Sequence, residues 1–282
     1  MLHYEIVDVF TDLAFAGNPL AVVLDGESLS TQQMQSIANE FNLSETAFVL
    51  PSDRADYRLR IFTPSVELPF AGHPSVGSAH TLARLGRLPA GDVVQECGAG
   101  LLPVHIGTET VTLTGGRPVV GPPMDPGPLL ASVGLDDDDF VGPPPRLAGC
   151  GISWAYLGVR PEALARTQPN IALLRPLGAD SGVSVSAWDP ASRTARARVF
   201  AAEVGVTEDP ATGSAALGYG LWLVASGLAG ADGTTAYTVK QGVEMGRPST
   251  LRCAVEAADG HAVSATVAGT AVPIARGEIR EP

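Results

Sequence analysis

A glutamate at the entrance to an apolar strand is the first residue of this chain whose position suits chemistry. Glu45 stands between Ser44 and Thr46, directly before the apolar run Ala47–Leu50. Burial against apolar neighbours penalises the charged form of a carboxyl group, so we expect it to raise the pKa of Glu45 from about 4.3 towards neutrality. A carboxyl group tuned in this way suits proton transfer near pH 7. The alternative is a surface glutamate at the end of a strand.

His73 and Asp209 are the next candidates, because each stands directly before a proline at a predicted helix start. Capping of the helix is the simpler role for both, and the Asp209 carboxylate would accept from amides of the first turn. Histidine is a less usual cap. The positively polarised end of a helix disfavours a further positive charge, so we expect a lowered pKa for His73. The imidazole would then be neutral and able to donate or accept a hydrogen bond.

The segment Val206–Leu217 has the form of a helix start that could bind an anion. Asp209 is its expected N-cap, and Gly213 lets another group approach the backbone closely. The first turn of a helix offers free N–H groups and partial positive charge. Thr212, Gly213 and Ser214 are therefore candidate binding residues. Most capped helix starts bind nothing, however, and packing is the alternative role for Ser214.

A second copy of this helix start lies upstream. His73–Ala79 and Asp209–Ala215 share Pro, Gly, Ser and Ala at one constant offset of 136 residues. Each copy follows a strand-like run that ends in phenylalanine, Tyr57–Phe62 in the first case and Ala195–Phe200 in the second. Each copy leads into a helix rich in Ala and Leu. The repeat predicts two related halves, with the two helix starts facing one cleft between them.

The elements that must position these residues are mostly short strands. Residues 3–9 alternate as a strand, and Ser30 with Gln33 forms a capping-box pattern for a helix that runs to Phe41. The two central helices are expected over residues 75–86 and 211–226. Many short strands with one long apolar helix per half predict an α+β fold. Each half would be a β-barrel-like sheet wrapped around a central helix.

The segment Pro118–Pro145 is the best boundary between the halves, because it is rich in Pro, Gly and Asp. It predicts a division into residues 1–120 and 121–282, with the last strand able to pack back on the first half. The four aspartates at 136–139 favour a solvated helix start or loop over a metal site, since no glycine-spaced calcium loop accompanies them.

Composition excludes several classes of partner. The chain of 282 residues carries 30 acidic and 18 basic side chains, a net charge of −12, which disfavours nucleic acid and anionic membranes. Its three cysteines follow no metal spacing, and no P-loop, nucleophile elbow or zinc-type histidine pairing is present. No signal peptide and no long apolar run is seen, so we expect a cytoplasmic protein without a bound metal.

These residues stand in a series of motifs that resembles the PhzF-like family of phenazine-biosynthesis isomerases, which share the fold of diaminopimelate epimerase and proline racemase. The motifs cover nearly the whole chain in the expected order. They are Val7–Thr11 with Gly17-Asn18-Pro19, Asn42–Thr46, Phe62–Pro64, Glu67–Pro74, Asp209–Ala215 and Gln241-Gly242. The one small departure is Ser75, where relatives often have threonine.

The resemblance implies a cofactor-independent enzyme, frequently a homodimer, that acts on a small carboxylate. Glu45 matches the family's catalytic glutamate, which shuttles a proton between two carbons of the substrate. His73, Asp209 and Ser214 match residues that orient the substrate and assist the transfer. The substrate carboxylate would be held by amides around Gly72, Gly213 and Ser214, and Ser44 and Thr212 complete the predicted binding set.

Three functions remain open from the sequence. The first is an isomerase that moves a proton and a double bond on a dihydro-hydroxyanthranilate-like carboxylate. The second is an epimerase or racemase that uses carboxylates, since neither helix-start motif contains the cysteine on which the epimerases of this fold depend. The third is a non-catalytic protein that binds a small carboxylate.

Overall fold

The computed structural model describes residues 1–174, 182–201 and 206–282. Within them the chain divides into two compact units. Unit 1 comprises Met1–Thr114 together with Ala268–Pro282, and unit 2 comprises Gly115–Val267. The fold is α+β, with much more strand than helix. None of the helices in these described ranges is long and apolar enough to cross a membrane.

The strands are mostly short and follow one another closely. In chain order they are β1 (Leu2–Val9), β2 (Asn18–Val23), β3 (Glu45–Leu50), β4 (Tyr57–Phe62), β5 (Glu67–Leu68), β6 (Gly91–Cys97), β7 (Gly100–Ile106), β8 (Val111–Thr114), β9 (Val119–Pro123), β10 (Arg146–Gly149), β11 (Ser153–Gly158), β12 (Val183–Asp189), β13 (Thr194–Ala201), β14 (Val206–Asp209), β15 (Gly233–Gln241), β16 (Ser249–Ala258), β17 (His261–Gly269) and β18 (Ala271–Ile279). The helices are α1 (Thr31–Phe41), α2 (Gly72–Arg84), α3 (Pro126–Ser132), α4 (Pro161–Leu164), α5 (Ile171–Leu174) and α6 (Gly213–Ala225), with a 3₁₀ turn at Asp137–Asp139.

The strands of the two units pair in the same way. In unit 1 the order is β18-β1-β2-β3-β4-β6-β7-β8, with β2/β3 and β4/β6 parallel and β5 added to β4. In unit 2 the order is β9-β10-β11-β12-β13-β15-β16, with β11/β12 and β13/β15 parallel and β14 added to β13. Each pairing from β1 to β7 thus recurs nine strands later. The prediction of two related halves is confirmed by this shared topology.

One helix in each unit lies against several strands of its own sheet. α2 contacts β1, β2, β3, β7, β8 and β18, and α6 contacts β9, β10, β11 and β16. α6 is buried along its whole length from Gly213 to Val224, so it has no solvated face. A helix that is apolar all round is stable only when it is surrounded by other elements. The prediction of a sheet wrapped around a central helix is therefore confirmed.

The first central helix begins earlier than its motif predicts. α2 starts at Gly72 with Ala71 as N-cap, whereas the sequence predicts a start at residue 75. Pro74 is accommodated because the first-turn N–H groups of a helix have no intrahelical partner. His73 is consequently the second residue of the helix and not its cap, and its side chain is directed into the buried interior of unit 1.

The second central helix begins later than predicted. α6 starts at Gly213 with Thr212 as N-cap, two residues after the expected start at Ala211. Asp209 is the last residue of β14, so the prediction that it caps the helix is wrong. The aligned motifs therefore occupy different positions relative to the two helices, although each helix has 13 residues.

The capping box of α1 is confirmed. The Ser30 hydroxyl accepts from the Gln33 amide at 3.3 Å, and the Gln33 side chain accepts from the Ser30 amide at 3.0 Å. The expected linker at Pro118–Pro145, by contrast, is folded into β9, α3 and the 3₁₀ turn. Leu129 and Leu130 of α3 are buried in the core of unit 2, and Asp136 caps the turn as the aspartate run suggests.

Gly218 in α6 lies where the sheet approaches the helix too closely for a side chain. A Cβ atom at Gly218 would lie 2.3 Å from the Tyr156 hydroxyl oxygen and 2.8 Å from the Ala148 carbonyl oxygen. We expect Gly218→Ala to lower the free energy of unfolding by about 2 kcal/mol, because overpacking outweighs the better helix propensity of alanine. Urea denaturation measures this change. Gly127→Ala in α3 is the matched control, since its Cβ would meet nothing closer than 3.5 Å. An equal loss in the two variants would contradict the packing explanation.

Candidate active site

Glu45 is the first residue of β3, and its side chain is largely withdrawn from solvent. β3 pairs in parallel with β2, where Leu20 lies opposite Glu45, and antiparallel with β4. The side chain of Glu45 is 14% exposed. Its Oε2 atom lies 3.6 Å from Nε2 of His73. The expected position at the start of an apolar strand is confirmed, and the strand holds the carboxylate beside an imidazole.

His73 is buried in unit 1, with 3% exposure. Burial lowers the pKa of His73 from 6.5 to about 3, so the imidazole is neutral at pH 7. The predicted direction of this shift is confirmed, but its cause is burial of the ring. The Nε2 atom makes no hydrogen bond within the described residues, and the Glu45 carboxylate is 3.6 Å away. This nitrogen is therefore available for a hydrogen bond to a bound ligand.

The other ring nitrogen of His73 contacts a buried amide. Asn18 is the first residue of β2 and is fully buried. Its Nδ2 atom lies 3.2 Å from Nδ1 of His73, and its Oδ1 atom accepts a hydrogen bond from the Ser44 hydroxyl at 3.0 Å. Ser44, which was predicted as a binding residue, is thus linked through Asn18 to His73, and Nε2 of His73 faces Glu45.

In unit 2 a buried glutamine organises the segment between β14 and α6. The Thr212 hydroxyl donates to Oδ2 of Asp209 at 2.5 Å. Nε2 of Gln241 donates to the Thr212 hydroxyl at 2.9 Å and to the Asp209 carbonyl at 2.7 Å, while its Oε1 accepts from the Thr212 amide at 3.2 Å. Gln241 is 1% exposed. These bonds fix the Asp209 carboxylate and the N-terminus of α6 relative to each other.

The strand that carries Asp209 is fastened to its sheet by an ion pair. Arg198 on β13 donates through Nε and Nη2 to the two carboxylate oxygens of Glu208 on β14, both at 2.8 Å. Nη1 of Arg198 donates to the carbonyls of Leu164 and Thr167 at 2.8 and 2.9 Å. A bidentate pair of this kind holds geometry better than a single contact does. The neighbouring Asp209 is therefore presented by a rigid strand.

The remaining predicted binding residues lie in the first turns of the two central helices. Gly72 begins α2, and Gly213 and Ser214 begin α6. The Ser214 hydroxyl accepts from the indole N–H of Trp154 at 3.1 Å, so its side chain has a packing partner. The amides of a first turn have no carbonyl partner within the helix. In each unit these amides remain candidate donors to an anion.

Within unit 1 the structure brings Glu45, His73 and Ser44 together, and within unit 2 it brings Asp209 and Thr212 together. Two buried amides that organise these sets, Asn18 and Gln241, were missing from the predicted site. Their sequence signals were the Gly17-Asn18-Pro19 and Gln241-Gly242 motifs, which local patterning identifies only as turns.

The cysteines do not supply a thiolate base. All three are buried, and burial raises the pKa of each thiol, that of Cys150 to about 11. A buried thiol with a raised pKa stays protonated at pH 7 and is a poor base. Among the residues that the structure describes, no group of three or more His, Cys, Asp or Glu side chains could hold a metal ion.

The chain matches known proteins over nearly its whole length. The family model of the phenazine biosynthesis-like proteins, PhzC-PhzF, matches residues 7–277. An uncharacterized isomerase of Mesorhizobium japonicum is 36% identical over 298 residues, which cover 98% of each chain. A trans-2,3-dihydro-3-hydroxyanthranilate isomerase of Pseudomonas chlororaphis is 34% identical over 289 residues, which cover 99% of each chain.

The solved structures agree with these matches. A PhzF-family phenazine biosynthesis protein of Bacillus anthracis superposes with a TM-score of 0.90 at 27% identity, over 99% of each chain. With a hydroxyproline epimerase of Agrobacterium vitis this chain has only the fold in common. The TM-score is 0.65 at 15% identity, over 98% of this chain and 91% of the epimerase. The fold is thus the one common to the diaminopimelate epimerase-like proteins. The chain belongs to the PhzC/PhzF family of phenazine biosynthesis-like proteins and is an isomerase.

Proposed function

We propose that this isomerase needs no cofactor and moves one proton, with a double bond, on a small cyclic carboxylate of the dihydro-hydroxyanthranilate type. The observation that carries the proposal is the pair formed by Glu45 and the neutral, buried His73, with Oε2 and Nε2 3.6 Å apart. The substrate class is taken from the relative that is named for it, which is 34% identical over 99% of this chain.

Glu45 is the proton shuttle in this proposal. Its carboxylate removes a proton from one ring carbon, and the electron pair of the broken C–H bond enters the conjugated system of the substrate. The double bond shifts, and the Glu45 carboxyl group returns the proton to a second carbon. Electrons and protons balance within the substrate, so the step requires no oxidant or reductant. The side chain of Glu45 keeps 14% exposure, so the proton held on its carboxyl group can exchange with solvent before it is returned.

His73 serves as a neutral hydrogen-bonding group beside the shuttle. Its lowered pKa keeps the ring uncharged throughout the neutral range. A neutral imidazole can donate from Nε2 to a substrate atom that becomes negative as the proton leaves. Preorganised donors of this type stabilise developing charge without reorganising.

We assign substrate binding to the helix starts. The amides of Gly213 and Ser214 in the first turn of α6 and of Gly72 in α2 are suited to a carboxylate, since helix N-termini attract anions. Asp209, with Thr212 bonded to its Oδ2, is assigned to orienting the polar substituents of the substrate and assisting the transfer. The homodimer implied by the family resemblance and the cytoplasmic location stay predictions.

Proton NMR in D₂O tests the proposed reaction. Trans-2,3-dihydro-3-hydroxyanthranilate is incubated with the protein and, as control, without it. We expect a new isomer with a shifted double bond and solvent deuterium at one carbon only. Exchange with inversion at one carbon and no double-bond shift would replace the proposal with the carboxylate-based epimerase. Binding of the compound without rearrangement or exchange would refute the proposed reaction on this substrate.

A further inference from the structure

Asn18 is fully buried and uses both ends of its amide for contacts with side chains of the proposed active site. Oδ1 lies 3.0 Å from the Ser44 hydroxyl, and Nδ2 lies 3.2 Å from Nδ1 of His73. An amide oxygen only accepts hydrogen bonds and an amide NH₂ only donates them. The orientation of this one group therefore decides which nitrogen of His73 carries the proton.

The observed orientation requires a proton on Nε2 of His73. The NH₂ group of Asn18 donates to Nδ1, so Nδ1 must be the unprotonated nitrogen. The ring is neutral because burial lowers the pKa of His73 to about 3, and a neutral imidazole has only one N–H. That N–H is consequently at Nε2, 3.6 Å from Oε2 of Glu45.

The opposite orientation is electrostatically unfavourable. If Oδ1 of Asn18 faced His73, the proton would lie on Nδ1 and the lone pair of Nε2 would face the carboxylate of Glu45. Two electron-rich groups would then meet in a buried space, where electrostatic interactions are less screened than in water. The Ser44 hydroxyl, by donating to Oδ1, holds the amide in the favourable orientation.

The backbone before Asn18 is built to present this side chain. Gly17 has φ +66°, and a Cβ atom there would lie 2.4 Å from the Val9 carbonyl oxygen, so the turn requires glycine. β2 then begins at Asn18 and continues in register with β1, where Val9 lies opposite Asn18. The amide thus extends from a rigid strand end, as a positioning group should.

We propose that Asn18 is a positioning residue that holds His73 in the Nε2–H tautomer, with Ser44 as the group that orients the Asn18 amide. In this form the Nε2–H group of His73 lies beside the Glu45 carboxylate and can donate to the substrate. The consequence for turnover rests on the proposed function, whereas the tautomer itself can be observed without a substrate.

Two measurements test this proposal: NMR of the His73 tautomer, and the kinetics of the isomerisation. In the wild-type protein, long-range ¹H–¹⁵N NMR of ¹⁵N-histidine-labelled protein should show His73 as the Nε2–H tautomer. In Asn18→Asp a carboxylate, which only accepts, faces Nδ1, so the proton should move to Nδ1 or both nitrogens should be protonated. We expect kcat to fall about 100-fold with little change in KM, since the Nδ1–H tautomer has no donor at Nε2 and a doubly protonated ring is no longer a neutral donor.

Two further variants keep the test decisive. Ser44→Ala leaves Asn18 in place and removes only the orienting hydroxyl, so it should give a mixture of tautomers and a smaller loss of kcat even where Asn18→Asp folds poorly. Asn39→Asp makes the same chemical change on the exposed face of α1 and should alter neither the tautomer nor kcat.

The two readouts distinguish a failure of the role assigned to Asn18 from a failure of the proposed isomerisation. An Nδ1–H tautomer in the wild type, or a wild-type tautomer and kcat in both Asn18→Asp and Ser44→Ala, would overturn the role of Asn18. The expected tautomers together with a wild type that does not isomerise the substrate would support that role and reject the proposed reaction.

Discussion

Glu45→Gln is expected to lower kcat for the isomerisation by about 1,000-fold, because an amide cannot take up and return a proton. Glutamine has nearly the same shape and can place its amide oxygen beside His73, where Oε2 of Glu45 lies 3.6 Å from Nε2. The backbone of residue 45 keeps its pairing with β2. We therefore expect the urea midpoint of the variant to stay close to that of the wild type, so that loss of activity reports chemistry. Steady-state kinetics on trans-2,3-dihydro-3-hydroxyanthranilate provide the measurement.

Two further variants sharpen this expectation. Glu45→Asp keeps the carboxylate but withdraws it by one methylene, so it should recover part of the activity while remaining about 10- to 100-fold below the wild type, since small misplacements are costly in catalysis. Glu40→Gln makes the isosteric change at an exposed position of α1 and should leave kcat unchanged. A folded Glu45→Gln variant with full activity would remove Glu45 from the mechanism.

Local patterns in the sequence predicted the elements of this fold well where one residue decides the local structure. Ser30 and Gln33 form the capping box, and the run that begins at Glu45 is a strand. The internal repeat correctly predicted two units of the same topology. Proline misled the prediction of both helix starts, because it is tolerated anywhere in a first turn as well as in the loop before a cap. In α2 it stands third in the helix, and in unit 2 Pro210 precedes the Thr212 cap.

The pairing of site residues depends on strand register that no local pattern contains. Glu45 and His73 are 28 positions apart in the sequence. They meet because α2, which carries His73 in its first turn, packs against β3, which begins at Glu45. The roles of Asn18 and Gln241 escaped prediction for a related reason. An asparagine after glycine, or a glutamine before it, indicates a turn, and only tertiary packing shows that each amide is buried and bonded at both ends.

The contribution of His73 to stability should depend strongly on pH. Its pKa is about 3 in the folded protein and about 6.5 when the chain unfolds. Between these values the unfolded chain binds a proton at this residue that the folded protein does not bind. The free energy of unfolding therefore rises with pH in this window, by about 1.4 kcal/mol per pH unit from this one group. The stabilisation is fully present above pH 6.5 and is lost as the pH falls towards 3.

His73→Gln removes this titration while keeping a neutral hydrogen-bonding side chain. At pH 7 the variant should be less stable than the wild type, because the buried ring no longer fills its site. As the pH falls below 6.5, the difference between the two proteins should shrink by about 1.4 kcal/mol per pH unit, since only the wild type loses this stabilisation. Urea denaturation over a series of pH values measures both slopes.

His80→Gln provides a graded comparison for this slope. His80 lies about two turns further along α2, and burial also lowers its pKa, but the side chain is less buried than that of His73. Its replacement should flatten the pH dependence in the same direction and to a smaller extent. If the stability difference between wild type and His73→Gln stayed constant from pH 6.5 downwards, His73 would have the same pKa in the folded protein as in the unfolded chain. The ring would then be protonated below pH 6.5, which would contradict the lowered pKa that keeps it neutral beside Glu45.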